Sequence, residues 1–161
     1  MLADEAATTC AGAALARSLP DIGRSNLLLA LSGELGSGKT TLARGILRAL
    51  GVTGSVRSPT FTLVEPYETV RGAVHHLDLY RLEPGARSLE GLGYRDLRGA
   101  PGLVLVEWPE RAGGALGEPD LAAQLEHEGT GRRISLAARG ESGRAWLESG
   151  RALLEECGVS R

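Results

Sequence analysis

Lysine is nearly missing from this chain. Of the 18 lysine and arginine residues, only Lys39 is a lysine. Asparagine is as rare, with Asn26 alone. An Asn-Lys-x-Asp guanine-reading motif therefore cannot be written with these residues, which excludes the usual kind of GTPase. Aromatic residues make up 4% of the chain. A net charge of −2 and a pI near 5.9 leave no charge excess for a large basic nucleic-acid face. The two cysteines, Cys10 and Cys157, lie at opposite ends without metal-ligand spacing. Two lone cysteines point to a reducing compartment, while leaving a pairing open. No run approaches the roughly 18 apolar residues of a membrane span. The opening Met-Leu-Ala-Asp-Glu has no basic region of the kind that starts a signal peptide. The expectation is a cytoplasmic protein with no membrane partner. Its 161 residues, 42% of them apolar, suit one domain over residues 1–161.

What is present centres on residues 27–51. Gly33, Gly38, Lys39 and Thr40 satisfy G-x-x-x-x-G-K-[ST], the Walker A phosphate loop. The apolar run Leu27 to Leu31 predicts a buried strand before it. Leu42, Ala43, Ile46, Leu47, Ala49 and Leu50 predict an amphipathic helix after it, stopped by Gly51. Gly33, Gly36 and Gly38 let backbone wrap a phosphate without a Cβ in the way, and helix N-terminal amides then face the anion. Lys39 would reach the β- and γ-phosphates and the Thr40 hydroxyl would bind Mg²⁺. A sequence that uses arginine everywhere else places its one compact ammonium here, where a planar guanidinium is no substitute.

The rest of the chain supplies partners for this loop. Residues 8–19 predict a helix capped by Thr8 or Thr9. Runs 60–67 and 73–80, joined by Thr69-Val70-Arg71-Gly72, predict a hairpin. Thr60 occupies the place where many phosphate-loop proteins carry a threonine that senses Mg²⁺ or the γ-phosphate. On the second run, Val74, His76, Asp78 and Tyr80 share one face. Asp78 between leucines is a poor strand former and needs a cation, a metal or a reacting water as partner. His75 and His76 point to opposite faces and do not form a metal pair. Residues 88–97 predict a short helix capped by Ser88. Gly102-Leu-Val-Leu-Val-Glu107 matches a Walker B strand, with Glu107 in place of the usual aspartate. Residues 121–128 and 132–138 predict a second hairpin turning at Gly129-Thr-Gly131. Arg132 and Arg133 near that turn can reach phosphate, although paired arginines are more often solvated. Residues 141–157 predict a final helix with Trp146, Leu147, Leu153 and Leu154 inward.

Four motifs occur in order: residues 33–41, Gly-Glu-Leu-Gly-Ser-Gly-Lys-Thr-Thr; residues 58–61, Ser-Pro-Thr-Phe; residues 76–82, His-Leu-Asp-Leu-Tyr-Arg-Leu; and residues 106–108, Val-Glu-Trp. Together they resemble the bacterial TsaE (YjeE) family, over about residues 5–140. The resemblance implies an α/β P-loop NTPase-like three-layer fold, with a mixed, mainly parallel sheet and antiparallel hairpins. It implies an ATPase required for N6-threonylcarbamoyladenosine at position 37 of tRNAs reading ANN codons. Such an ATPase assists the TsaB–TsaD complex, TsaD itself transferring the carbamoyl group, and meets tRNA through that complex. By the same resemblance Gly33 and Gly36, Ser37, Gly38, Lys39, Thr40 and Thr41 would bind ATP, with Mg²⁺ on Thr40 and Glu107. Lys39, Asp78 and Glu107 would be catalytic, Asp78 placing the attacking water. Thr60, Glu110, Arg132, Arg133 and Glu5 would stand at the nucleotide, and Trp108 at the nucleotide site or a partner face. The helix from about Glu141 lies outside the resemblance. One alternative is a small-molecule kinase, which would need an acceptor pocket and usually a mobile lid bearing arginines; no clear lid is legible. An ATP-dependent regulatory switch is the other alternative.

Overall fold

The computed structural model describes residues 1–83 and 86–159, with backbone alone for 86–88. The elements run α1 (Glu5–Arg17), β1 (Asn26–Ser32), α2 (Lys39–Ala49), β2 (Val64–Thr69), β3 (Gly72–Asp78), α3 (Ala86–Gly91) and α4 (Tyr94–Gly99). They continue with β4 (Gly102–Glu107), a 3-10 turn (Pro109–Ala112), β5 (Leu121–Glu128), β6 (Gly131–Ala138) and α5 (Gly140–Glu156). The strands form one sheet in the order β2-β3-β4-β1-β5-β6. β1 pairs parallel with β4 and β5, and β3 parallel with β4, while the two hairpins add antiparallel edges. The mixed, mainly parallel fold matches the expectation.

The central strands are apolar because both faces are covered. Leu27, Leu29, Leu31, Leu103 and Leu105 face α1, α2 and α5; Leu28, Leu77, Val104 and Val106 face α3 and α4. α1 crosses α2 at two glycines. A Cβ at Gly12 would stand 2.4 Å from the Leu42 carbonyl oxygen, and one at Gly45 would stand 2.4 Å from that of Thr9. The helix that opens the chain is thereby pressed onto the helix that carries Lys39.

Several boundaries depart from the sequence reading. α1 starts earlier and is capped by Asp4, whose carboxylate accepts the Ala7 amide at 2.8 Å. Thr8 and Thr9 bond back to carbonyls one turn earlier instead. β2 begins at Val64, not residue 60, because the Leu63 amide closes a turn onto the Pro59 carbonyl. The helix expected over 88–97 is two helices, broken where Gly93 takes φ +69°. The expected cap at Ser88 rests on a side chain outside the described residues. Ala49, expected inward, is exposed.

α5 belongs to the core. Trp146 is fully buried and donates its indole N–H to the Leu15 carbonyl at 2.8 Å. Gly143 lies so close to β5 that a Cβ would meet the Asp120 carbonyl oxygen at 1.9 Å. Cys10 and Cys157 form a disulfide joining α1 to the end of α5, across 147 residues of sequence. The reading of two lone thiols is thus corrected in favour of the pairing the sequence had left open: the fold brings the two ends of the chain together, and the cysteines no longer point to a reducing compartment. Trp146→Ala should cost about 3–5 kcal/mol of unfolding free energy by urea titration; a loss below about 1 kcal/mol would mean that α5 is peripheral. Thiol titration of the folded protein without reductant should find no free thiol, and reduction should lower stability by about 2–4 kcal/mol.

Candidate active site

The site grows from the turn between β1 and α2. Gly33, Gly36 and Gly38 have φ of +140°, +78° and +105°. At Gly33 a Cβ would also stand 2.2 Å from the Leu125 carbonyl oxygen, so the loop enters flush against β5. Lys39, 4% exposed, donates its Nζ protons to the carbonyls of Gly33 at 2.7 Å and Glu34 at 2.8 Å. Its ammonium also lies 3.9 Å from the centre of the Trp108 ring. Burial pushes the Lys39 pKa below its usual value, and the nearby carboxylates of Glu107, Glu110 and Asp78 only partly offset this.

Two carboxylates close the floor. Parallel pairing of β3 and β4 sets Asp78 beside Glu107 at the carboxyl ends of both strands. Both are buried, and buried carboxylates need hydrogen bonds. Glu107 accepts the Thr40 hydroxyl at 2.9 and 3.1 Å and meets His76 Nε2 at 2.8 Å. Asp78 accepts the Thr60 hydroxyl at 2.9 Å and the Tyr80 amide at 2.9 Å, together with the Ser58 hydroxyl. The loop over residues 58–60 is thus fastened to Asp78.

A cavity of about 310 Å³ opens over this floor. Of the expected site residues, Gly36, Gly38, Lys39, Thr40, Thr41, Thr60, Asp78, Glu107, Trp108 and Arg132 line it. Gly33 sits behind the lining through its carbonyl to Lys39. Ser37 is fully buried, and its hydroxyl has no partner among the described residues. Three residues are not brought in. The Glu5 carboxylate pairs with Arg44 at 3.0 Å. Glu110 acts on Lys39 through its field but does not line the cavity. Arg133 turns away to pair with Glu128, beside a larger cavity of about 520 Å³ between β6 and α5.

The two arginines are separated by strand alternation. Leu2 pairs with Arg132 as a one-residue strand, exchanging amide bonds of 2.7 and 2.8 Å. This fixes the Arg132 backbone so that its side chain passes Gly38, where a Cβ would lie 2.9 Å from Nε. That buried Nε has no partner among the described residues. Sequence reasoning gave Ser58 no contact of its own and left His76 without a named partner. Alternation already placed His76 on the face of Asp78, which was the available signal. The lining suits a phosphate with a hard cation: Lys39 and Arg132 supply positive charge beside the glycine loop, with threonine hydroxyls and the carboxylates of Asp78 and Glu107 around them. Mg²⁺ needs only one or two protein oxygens when phosphates and water supply the rest.

A glycine loop between a buried parallel strand and a helix, with a carboxylate on the neighbouring parallel strand, defines a P-loop NTPase-like fold. Within that class the chain belongs to the TsaE family: the model described as "Threonylcarbamoyl adenosine biosynthesis protein TsaE" matches residues 2–134. The tRNA threonylcarbamoyladenosine biosynthesis protein TsaE of Haemophilus influenzae is 40% identical over 118 residues, covering 73% of this chain and 74% of the relative. The protein of the same name from Streptomyces coelicolor is 38% identical over 114 residues, covering 70% and 76%. The crystal structure of Bacillus subtilis YdiB superposes with a TM-score of 0.72 at 28% identity, covering 89% of this chain and 87% of that one. The family is thus one of tRNA threonylcarbamoyladenosine biosynthesis. No helix among the described residues is long and apolar enough to cross a membrane.

The lowered Lys39 pKa gives a signed prediction. The folded site holds the ammonium less favourably than water does, so protonation of Lys39 opposes folding below its folded-state pKa. That opposition fades as pH rises from there towards the unfolded value of about 10.4. Urea unfolding at a series of alkaline pH values should show wild type gaining stability relative to Lys39→Met over this window. A flat or falling difference would count against a buried, strained ammonium.

Proposed function

We propose that this chain is an ATPase of the tRNA threonylcarbamoyladenosine pathway, acting in the cytoplasm with the TsaB–TsaD complex and meeting tRNA through it. The observation that carries this reading is the hydrogen bonding of Thr40, which follows Lys39 at the start of α2, to the buried carboxylate of Glu107. The Gly33–Thr41 loop and Arg132 would hold the triphosphate, and Thr40 with Glu107 would hold Mg²⁺. Bound Mg²⁺ neutralises phosphate charge and fixes phosphate orientation.

The chain's own groups do the rest. Lys39 contributes positive charge from a low-dielectric position, where it counts for more than in water. The Trp108 ring covers the ammonium and keeps bulk water from it. Asp78 spends three acceptor positions on Ser58, Thr60 and Tyr80, which leaves a lone pair at the cavity to orient an attacking water. His76 holds Glu107 from below, so the carboxylate cannot swing away from Thr40. The family name supports a place in tRNA threonylcarbamoyladenosine biosynthesis, and the resemblance carried by the four motifs implies TsaB–TsaD as the assembly that this hydrolysis serves.

ATP turnover measured with TsaB and TsaD each added or withheld should be slow for the chain alone and should rise when both are present. Equal rates in every mixture would count against the partnership. Lys39→Ala should lower turnover about 10²–10³-fold, the usual cost of losing a preorganised charge-stabilising donor. Unchanged turnover and nucleotide affinity would remove the phosphate-loop assignment.

A further inference from the structure

Phe61 is the one phenylalanine of the chain, and it stands 84% exposed. It directly follows Thr60 in the loop whose Ser58 and Thr60 hydroxyls both donate to the same oxygen of Asp78. Phe61 does not line the nucleotide cavity; it borders a separate groove of about 400 Å³ with Arg57, Pro59, Thr62 and Tyr67. The Arg81 guanidinium lies 4.7 Å from its ring centre and steadies it from one side. From the phosphate loop projects Leu35, 72% exposed, which does line the cavity. The two loops that border the nucleotide cavity thus each carry a large apolar side chain held out in water.

The surroundings indicate what covers them. Exposed Arg57 and half-buried Glu65 border the groove with Phe61, Arg81 stacks on its ring, and exposed Glu34 directly precedes Leu35, so charge of both signs accompanies the two apolar side chains. Mixed charge does not suit a polyanion, which needs a surface of one sign. An aromatic anchor with a stacked arginine, ringed by mixed charge, is the composition of a protein–protein contact centre. A segment of the nucleotide site is tied directly to that anchor, so whatever holds Phe61 also bears on the hydrogen bonds of Asp78.

We propose that Phe61 and Leu35 receive an apolar patch of the partner protein over the nucleotide cavity, and that Phe61 passes this docking to Asp78 through Ser58 and Thr60. The inference rests on the reading above, in which the chain hydrolyses ATP with TsaB–TsaD, and adds the surface and the residue that join the two. Phe61 is a positioning residue here, since it touches no reacting atom.

The test uses the full chain and the TsaB–TsaD complex. Phe61→Ala should leave turnover of the chain alone and its nucleotide Kd within about twofold of wild type, because the ring lies outside the cavity. Its affinity for TsaB–TsaD should fall at least about tenfold, as expected for a central anchor, and Phe61→Tyr should restore most of it. Thr60→Val should bind the complex with wild-type affinity but reduce the ratio of stimulated to isolated turnover towards one. Wild-type affinity in Phe61→Ala overturns the docking surface while leaving ATP hydrolysis with TsaB–TsaD intact. A wild-type chain that hydrolyses ATP but neither binds nor responds to TsaB–TsaD overturns both the partnership and the surface. A Phe61→Ala variant that loses tRNA binding instead, with TsaB–TsaD binding unchanged, assigns the patch to RNA and overturns the protein reading. Retained stimulation in Thr60→Val overturns the route through Asp78.

Discussion

The buried carboxylate of Glu107 is the constraint around which this protein is arranged. At 2% exposure it has lost nearly all contact with water, and an unpaired carboxylate in that position would cost several kcal/mol. Its partners come from separate parts of the chain: Thr40 from the first turn of α2 and His76 from β3, with the Lys39 charge nearby. Satisfying one side chain therefore fixes the position of the phosphate loop relative to two strands. The parallel register of β1 and β4, with Leu31 opposite Glu107, makes those contacts reachable. His76 on β3 gives Glu107 a partner independent of α2, so among the described residues the carboxylate is held from two separate elements.

Close packing of the outer helices transmits this arrangement to the ends of the chain. α2 cannot shift without displacing α1, because Gly12 and Gly45 bring the two backbones into contact. α1 is in turn held by the Trp146 indole and by the Cys10–Cys157 disulfide. α5 lies beyond the residues matched by the family model, yet it buries Trp146 in the same apolar layer as Leu29 and Leu31. Helix α5 therefore supports the helix pair from behind, and the nucleotide loop is stiffened from the far side of the molecule.

Much of this was legible in the sequence, and the limits were physical ones. Strand β1, helix α2 and both hairpins follow from apolar runs and turn residues, which are local signals. Asp78 and Glu107 could be singled out because carboxylates at strand positions need partners. The separation of Arg132 from Arg133 depended on which face of β6 meets the loop, and this was set by the pairing of Leu2. No local pattern around Glu5 could show that Arg44, thirty-nine residues away, would engage it instead. The disulfide had the same difficulty, since its halves meet only after α1 and α5 have packed. The early part of the predicted strand over 60–67 failed because the Leu63 amide closes a turn onto the Pro59 carbonyl, which brings the Thr60 hydroxyl to Asp78.

Among the described residues, the two non-glycine ones with left-handed backbone are Leu63 and Trp108, at φ +63° and +59°. For bulky side chains this conformation costs roughly 1–2 kcal/mol each, so it persists only where other bonds over-determine it. The Leu63 amide bonds to Pro59, and its carbonyl accepts the Asp78 amide. The Trp108 amide bonds to Leu31. In each case the strained residue adjoins a carboxylate of the site: one receives the Asp78 amide and the other follows Glu107 in sequence. Strain at Trp108 turns its ring back over Lys39, where an extended strand would have carried it onward. Strain at Leu63 reverses the chain so that Ser58 and Thr60 reach Asp78 before β2 begins. The departures from regular backbone therefore do chemical work: they turn the covering ring onto the ammonium of Lys39 and the covering loop onto the carboxylate of Asp78.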